Sequence, residues 1–305
     1  MKSLYPTPSA HRAAVGLYGR LFLFVCFLLS TSRLAALDYY WVNGDGLWSQ
    51  FATHWAKVPN PGGPVDFHAN VPTAGDDVYF TNNGGVPYTL NVNAGSTVPK
   101  CRNMDWTGVP LGTVCGGGGG GMDIYGSTTL DANMSMTFSG VVHFNKQDGA
   151  TSMIWSKNVH FSCPVYFEGT SGGWQLMDEL YCNETMVQTG GLLETNGQKV
   201  TIGSYFYGNY YNGSNGQLHL SSSEFIMLGG AAYFRYNAAQ FDAGTSHIKV
   251  YGYTYVEGPL FFASPIHFFD VSFFAGGGFA WGHVDGTLTF HQYGEIHSMV
   301  TLYQN

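Results

Sequence analysis

Leu218-His-Leu-Ser-Ser-Ser-Glu-Phe-Ile-Met-Leu-Gly229 and Phe241-Asp-Ala-Gly-Thr-Ser-His-Ile-Lys-Val-Tyr-Gly252 run in step at an offset of 23 residues. Each is a short apolar–polar alternation, a turn of small polar residues, and a second alternation that ends at glycine. Alternation of this kind marks strands whose successive side chains point to opposite faces. Asn196-Gly-Gln-Lys-Val-Thr-Ile202 precedes the first copy by a similar interval and has the same turn-then-strand form. A period of about 20–25 residues is the size of one coil of a β-helix. One coil cannot bury its own inner face, so stacked coils make the core. The repeat predicts an all-β chain, a right-handed parallel β-helix (β-solenoid).

The rest of the chain agrees. Only 10% of the 305 residues are charged, while 42 are glycine and 16% are aromatic. That composition disfavours long surface helices and favours short strands with tight turns. Tyr88–Asn93, Met122–Tyr125, Met134–Phe138 and Val141–Phe144 read as further strands. The six glycines from Gly116 to Gly121 read as a loop between coils, since no Gly-Lys-Ser/Thr follows to make a phosphate loop.

At the other end stand Tyr39-Tyr-Trp-Val-Asn-Gly-Asp-Gly-Leu-Trp-Ser-Gln-Phe-Ala-Thr-His-Trp55 and Val71-Pro-Thr-Ala-Gly-Asp-Asp-Val-Tyr-Phe80. Glycine and asparagine interrupt the seven-residue spacing of the tryptophans, so an indole-packed turn is expected rather than a helix. This stretch resembles the opening of large secreted repeat proteins, the bacterial surface and autotransporter-passenger-like β-solenoids. Cys101–Gly108, Met122–Leu130, Gly172–Leu180 and Phe241–Val250 look like rungs of the same group. The resemblance spans roughly Tyr39 to Phe274 and implies an N-terminal cap over residues 37–100 and a solenoid body over 101–305. After Phe274 the rung pattern fades without a recognisable anchoring segment, which leaves open that the body is truncated at its C terminus.

Residues 1–36 read as a secretory signal peptide. Lys2, Arg12 and Arg20 precede the apolar core Leu21–Leu29, and Ala35-Ala36 offers small residues for cleavage. Nine apolar residues are short of the ~20 that cross a bilayer, and no second apolar span follows. A secreted or cell-surface protein without a membrane span is expected. The segment carries four of the twelve basic residues and no acid, leaving eight bases against twenty acids and a net charge of −12. That balance argues against nucleic acid as a partner.

Cys101, Cys115, Cys163 and Cys182 remain after the signal. An even count in a secreted chain predicts disulfides, with Cys101–Cys115 and Cys163–Cys182 the short-range choice of three connectivities. No C-x-x-C supports a zinc site. Asn133, Asn183 and Asn212 head N-x-S/T sequons and are candidate glycosylation sites.

No residue set announces catalysis, and no cofactor or metal motif is present. Gly169-Thr-Ser-Gly-Gly173 matches a nucleophile elbow, but strand-like sequence follows where the elbow needs a helix. Asp76-Asp77 and Asp178-Glu179 are adjacent on strands and face opposite ways, whereas glycoside hydrolysis needs two carboxyls on one face. Asp45, Asp66, Asp76 and Asp77 lack calcium-loop spacing and read as turn caps. His283, His291 and His297 show no zinc spacing. The aromatics carry more. Tyr205, Tyr207, Tyr251, Tyr253 and Tyr255 are candidate binding residues, a stacking platform if they face outward and a core ladder if inward. Phe261-Phe262, Phe268-Phe269 and Phe273-Phe274 each put one ring on either side of a strand. The expectation is a non-enzymatic structural or adhesive rod that presents a face to glycans or surface proteins. The alternative is a polysaccharide lyase or glycoside hydrolase on the same fold.

Overall fold

The 23-residue offset is the step between turns. In the computed structural model Met227 lies beside Val250, Val250 beside Phe273 and Leu218 beside Phe241, all on adjacent parallel strands. The structure describes residues 36–302 apart from 60–63, 93–97, 212, 253, 258–265, 275–276, 281–282, 286, 291–293 and 297–300. The chain winds into a β-solenoid of about eight turns. One wall is a sheet of 11 strands, from Gly46–Leu47 to Leu288–Phe290, which takes strands in chain order. A second sheet of 18 strands makes the two other walls. The first of these holds Gly121–Ile124, Val141–Phe144, Phe206–Gly208 and Ala232–Phe234. The second holds Asp77–Phe80, Thr151–Trp155 and Gln217–His219. Val165–Leu176 and Met186–Glu194 bend across the corner and belong to both.

Alternation puts every second side chain inside, and parallel register puts each over its counterpart one turn away. Leu90, Cys115, Met136, Phe161, Cys182, Ile202, Met227, Val250 and Phe273 form one such buried column. On the first wall the column is Cys101, Ile124, Phe144, Phe167, Gln188, Gly208 and Phe234. Phe144 and Phe167 stack at 5.1 Å and 13°, a contact contributing about 0.5–1.5 kcal/mol beyond area burial. The column turns polar at Gln188, which is fully buried. Its amide donates to the Gln217 carbonyl at 2.5 Å, and its carbonyl accepts from the Tyr236 hydroxyl at 2.5 Å. Gly208 is glycine because the Tyr236 ring occupies the space of a Cβ, 2.4 Å from where that carbon would stand.

The N-terminal end is closed by aromatic packing. Asp38–Trp41 starts the parallel stack by pairing with Asp77–Phe80, and Trp55–Ala56 pairs antiparallel on its other edge. That reversal blunts an edge that would otherwise template another strand. Trp41, Trp48 and Trp55 are buried, and Trp55 meets Trp41 at 4.9 Å and Trp48 at 5.0 Å edge-on. A single helical turn, Phe51–His54, interrupts the spacing that the three tryptophans suggest. Phe80 stacks on Trp106 and carries the cluster into the body. The Asp carboxylates serve the backbone and neighbouring bases. Asp76 accepts from the N–H of Leu37 and Thr73, Asp77 binds Arg102 through both oxygens, and Asp45 accepts from Thr89 N–H. The glycine run bridges Thr113–Gly116 and Gly121–Ile124, as a loop between coils should.

The disulfide expectation is corrected: all four cysteines are free and buried. Cys101 belongs to the first wall and Cys115 to the 11-stranded wall, each inside a different apolar column. The Cys182 thiol donates to the Cys163 carbonyl at 3.4 Å instead of bonding its sulfur. Burial holds the Cys101 thiol far above its ordinary range and pushes Cys115 and Cys163 up to about 12 and Cys182 to about 11. The nucleophilic thiolate is thus suppressed at neutral pH.

Two outcomes are expected. The chain from Leu37 onward should give no reaction with a thiol reagent while folded and four thiols once unfolded in denaturant. Zero thiols in the unfolded chain would restore the disulfide pairs. Tyr236→Phe strands the buried Gln188 carbonyl and should lower unfolding free energy by about 1–3 kcal/mol in urea titration.

Candidate functional site

The corner between the first and second walls changes length from turn to turn. Glu168 pairs with Gly190 and Gly173 with Leu192, so residues 169–172 of one turn face Gly191 alone in the next. In the following turn the same corner runs from Gly208 to Gln217. A short corner between two long ones leaves a cleft. It has a volume of about 530 Å³. Glu168, Gly169 and Thr170 line one side, Thr189 and Gly190 the floor, and Tyr211, Gly213, Ser214 and Asn215 the other side. At Gly190 the floor admits no side chain, since a Cβ there would fall 2.2 Å from the Gly169 carbonyl oxygen.

The long corner is held at its base. The buried Asn209 side chain donates to the Gly216 carbonyl at 2.9 Å and accepts from its N–H at 2.8 Å. Asn215 N–H donates to the Thr189 carbonyl at 2.9 Å and ties the loop to the floor. The loop thereby brings Tyr210 and Tyr211 back over the outer face of the first wall.

That face is an array of phenols. Tyr166, Val187, Tyr207 and Tyr233 stand in one outward column. Tyr207 and Tyr233 stack at 5.4 Å and 1°, and Tyr205 stacks on Tyr207 at 5.6 Å. Tyr210 meets Tyr207 and Tyr233 at 4.9 Å each, and Tyr211 meets Tyr210 at 5.5 Å. The Arg235 guanidinium lies over Tyr210 at 4.1 Å, a cation–π contact that helps fix the ring. Val187 points outward yet is only 1% exposed, since rings close over it. Tyr205 and Tyr211 are 40% and 50% exposed.

Charge enters from the earlier turns. His143 Nδ1 lies 2.6 Å from Glu168 Oε2, and Asp123 is the register neighbour of His143 and of Lys100. The hydrogen bond to Glu168 raises the His143 pKa above 6.5 against the opposing effect of burial. Burial raises the Tyr166 phenol, with smaller contributions from Tyr211 and Glu168.

Tyr205 and Tyr207 thus face outward in the array. Tyr251 does not join them. His247–Val250 ends before it and Thr254–Glu257 begins after it, so it occupies a turn, 43% exposed and stacked on Phe274 at 4.5 Å. Tyr253 and the Tyr255 side chain lie outside the described residues, as do Asn212, Phe261, Phe262, His291, His297 and the His283 side chain. Phe268 and Phe273 are buried and Phe269 and Phe274 half-buried, one ring on each side. Asn133 and Asn183 are exposed. Asp178 accepts from Ser156 and Lys157 N–H, and Glu179 pairs with Lys199 at 2.7 Å.

Gly169–Gly173 lies in mid-strand at the bend of Val165–Leu176, not on a strand-to-helix elbow, and its role is to line the cleft. Sequence reasoning missed that role and missed Glu168 and Tyr233, while Tyr210-Tyr211 stood out only as a dense aromatic pair. The readable signal was unequal spacing of glycines between neighbouring coils.

No family model, characterised protein or solved structure matches the chain. The site is therefore read from its own geometry.

The His143–Glu168 pair should be visible in stability. The folded pKa of His143 is raised, so its contribution is complete below 6.5 and is lost as pH rises through the folded value. Both partners are partly exposed, so the effect should stay below about 1 kcal/mol. Melting temperature against pH, compared with His143→Gln, should show a gap at acidic pH that closes on the alkaline side. A gap independent of pH would remove the charge pairing.

Proposed function

We propose that the protein is a non-enzymatic, secreted or cell-surface β-solenoid of the bacterial surface and autotransporter-passenger-like kind that binds glycans at the tyrosine face and cleft. The observation that carries this reading is the stacked set Tyr205, Tyr207, Tyr210, Tyr211 and Tyr233 beside a cleft of hydroxyls, amides and one carboxylate. A sugar ring offers an apolar C–H face and a rim of hydroxyls. Half-exposed phenol rings match the face, and Thr170, Thr189, Ser214 and Asn215 match the rim. The rings are already locked by mutual stacking, so little side-chain entropy is lost on binding.

A hydrolase reading requires a second carboxyl across the cleft, and a lyase reading requires a base beside a cation that offsets the substrate's carboxylate. Glu168 is the single carboxylate among the described lining residues, and His143 pairs with it. The geometry therefore favours binding.

The test is a glycan array followed by calorimetry with the chain from Leu37 onward. Tyr207→Ala should weaken binding about tenfold or more, while Tyr251→Ala on the separate Phe274 stack leaves it unchanged. Loss with Tyr251→Ala alone would move the site. Absence of glycan binding to the folded chain would leave only a structural rod.

A further inference from the structure

The cleft is not chemically even. Its aromatic wall and its carboxylate meet at one place: Glu168 and Tyr211 both line the cleft, and Tyr166 stands two residues before Glu168 on the same strand face. Aromatic faces and a carboxylate favour the same kind of group, a cation with some apolar surface. We propose that the glycan taken by this cleft is an amine-bearing one, whose ammonium sits between Glu168 and the rings of Tyr166 and Tyr211. The inference rests on the glycan-binding reading and refines it.

Three features support it. The first is position. Glu168 projects at the lip with 34% of its side chain exposed, so one oxygen can meet a ligand while the other meets His143. The second is the surroundings. Lys146 is 6% exposed and paired with Asp148 at 3.0 Å, which offsets its charge. Lys100 is matched by Asp123 at 3.5 Å, and Arg235 lies over Tyr210 and Tyr233 rather than over the rings beside Glu168. The third is the whole-chain balance. The net charge of −12 after the first 36 residues draws cations toward the surface.

The arrangement also contains its own competitor. When protonated, His143 holds Glu168 in an ion pair and takes the place of a ligand cation. When neutral, it leaves the carboxylate charge uncompensated. The other titratable groups here are Asp123, the register neighbour of His143, and the Tyr211 and Tyr166 phenols, the last raised by burial. Affinity for a permanently charged ammonium should therefore rise with pH, opposite to the stability contributed by the His143–Glu168 pair. A quaternised probe is needed, because a primary amino sugar titrates itself.

The experiment is calorimetry with two oligosaccharides of one length, N-acetylated chitosan and N,N,N-trimethyl chitosan, at pH 5.5 and 8. The trimethylated oligomer should bind about five- to tenfold tighter at pH 8, with the preference shrinking at pH 5.5. Glu168→Gln should erase the preference, so that the two oligomers bind alike at both pH values. His143→Gln, which keeps the carboxylate, should hold the preference at both pH values. Equal binding of both oligomers, or a preference that survives Glu168→Gln, overturns the proposal and leaves the glycan reading standing. Failure of both to bind, with other glycans also silent on the array, overturns both.

Discussion

Everything in this molecule depends on in-register parallel stacking. Each turn lies one inter-strand spacing from the next, about 4.8 Å, and its side chains fall on those of its neighbours. Like must then tolerate like at close range. Apolar columns inside satisfy that rule, and aromatic pairs satisfy it best, because offset-stacked rings prefer nearly the same separation. Phe144–Phe167, Tyr40–Tyr79 and Tyr207–Tyr233 sit at 5.1, 5.0 and 5.4 Å. The same rule that builds the core therefore builds the outer tyrosine face. A residue that stacks well inside also stacks well outside, and there its exposed surface remains available.

Charge obeys the same constraint with the opposite sign. Two like charges one turn apart repel, and several of the charges present instead meet an opposite charge on the neighbouring turn; where Asp38 and Asp77 lie in register, Arg102 pairs with Asp77. Arg102 meets Asp77, Lys100 meets Asp123, Lys199 meets Glu179 and Lys249 meets Glu224. These pairs are partly exposed and individually worth little. Their role is to avoid repulsion along the stack. With 10% charged residues the chain has few charges to place, and most of the outward columns are left to Tyr, Thr, Ser and Asn. An exterior of sparse, mostly acidic charge with outward aromatic columns is the consequence.

The sequence revealed the fold because register leaves a period. Leu218 and Phe241 align in the sequence and pair in space. The site was less legible, because it comes from departures from the period. Tyr205 and Tyr207 announce themselves as an alternating pair, but Tyr210, Tyr211 and Tyr233 come from a loop and from the next turn, and only the winding brings them together. The cleft arises from the difference in corner length between Glu168–Gly173, Gly190–Leu192 and Gly208–Gln217. Locating a deletion within a degenerate repeat requires knowing which residues are strands. The cysteines failed for a related reason. An even count speaks of pairing, but each residue occupies an apolar column position where a thiol acts as a small hydrophobe.

Corner length is the variable that a solenoid can change most freely. Strands are constrained by neighbours on both sides, whereas a corner touches its neighbours only at its base. At this corner the chain shortens one turn to Gly191 and lengthens the next to 209–216, and the wall strands keep their register on either side. The cost stays local, because Asn209 closes the long loop with two hydrogen bonds and Gly190 accepts the close approach of Gly169. Binding groups placed at such a corner can vary without disturbing the core. The tyrosines on the wall cannot vary so freely, since each is also its neighbour's stacking partner. On the glycan-binding proposal, the site joins a constrained aromatic platform to an adaptable polar rim, and changes in ligand preference should arise at Glu168 and the loop around Tyr211 and Ser214 before they arise at Tyr207 or Tyr233.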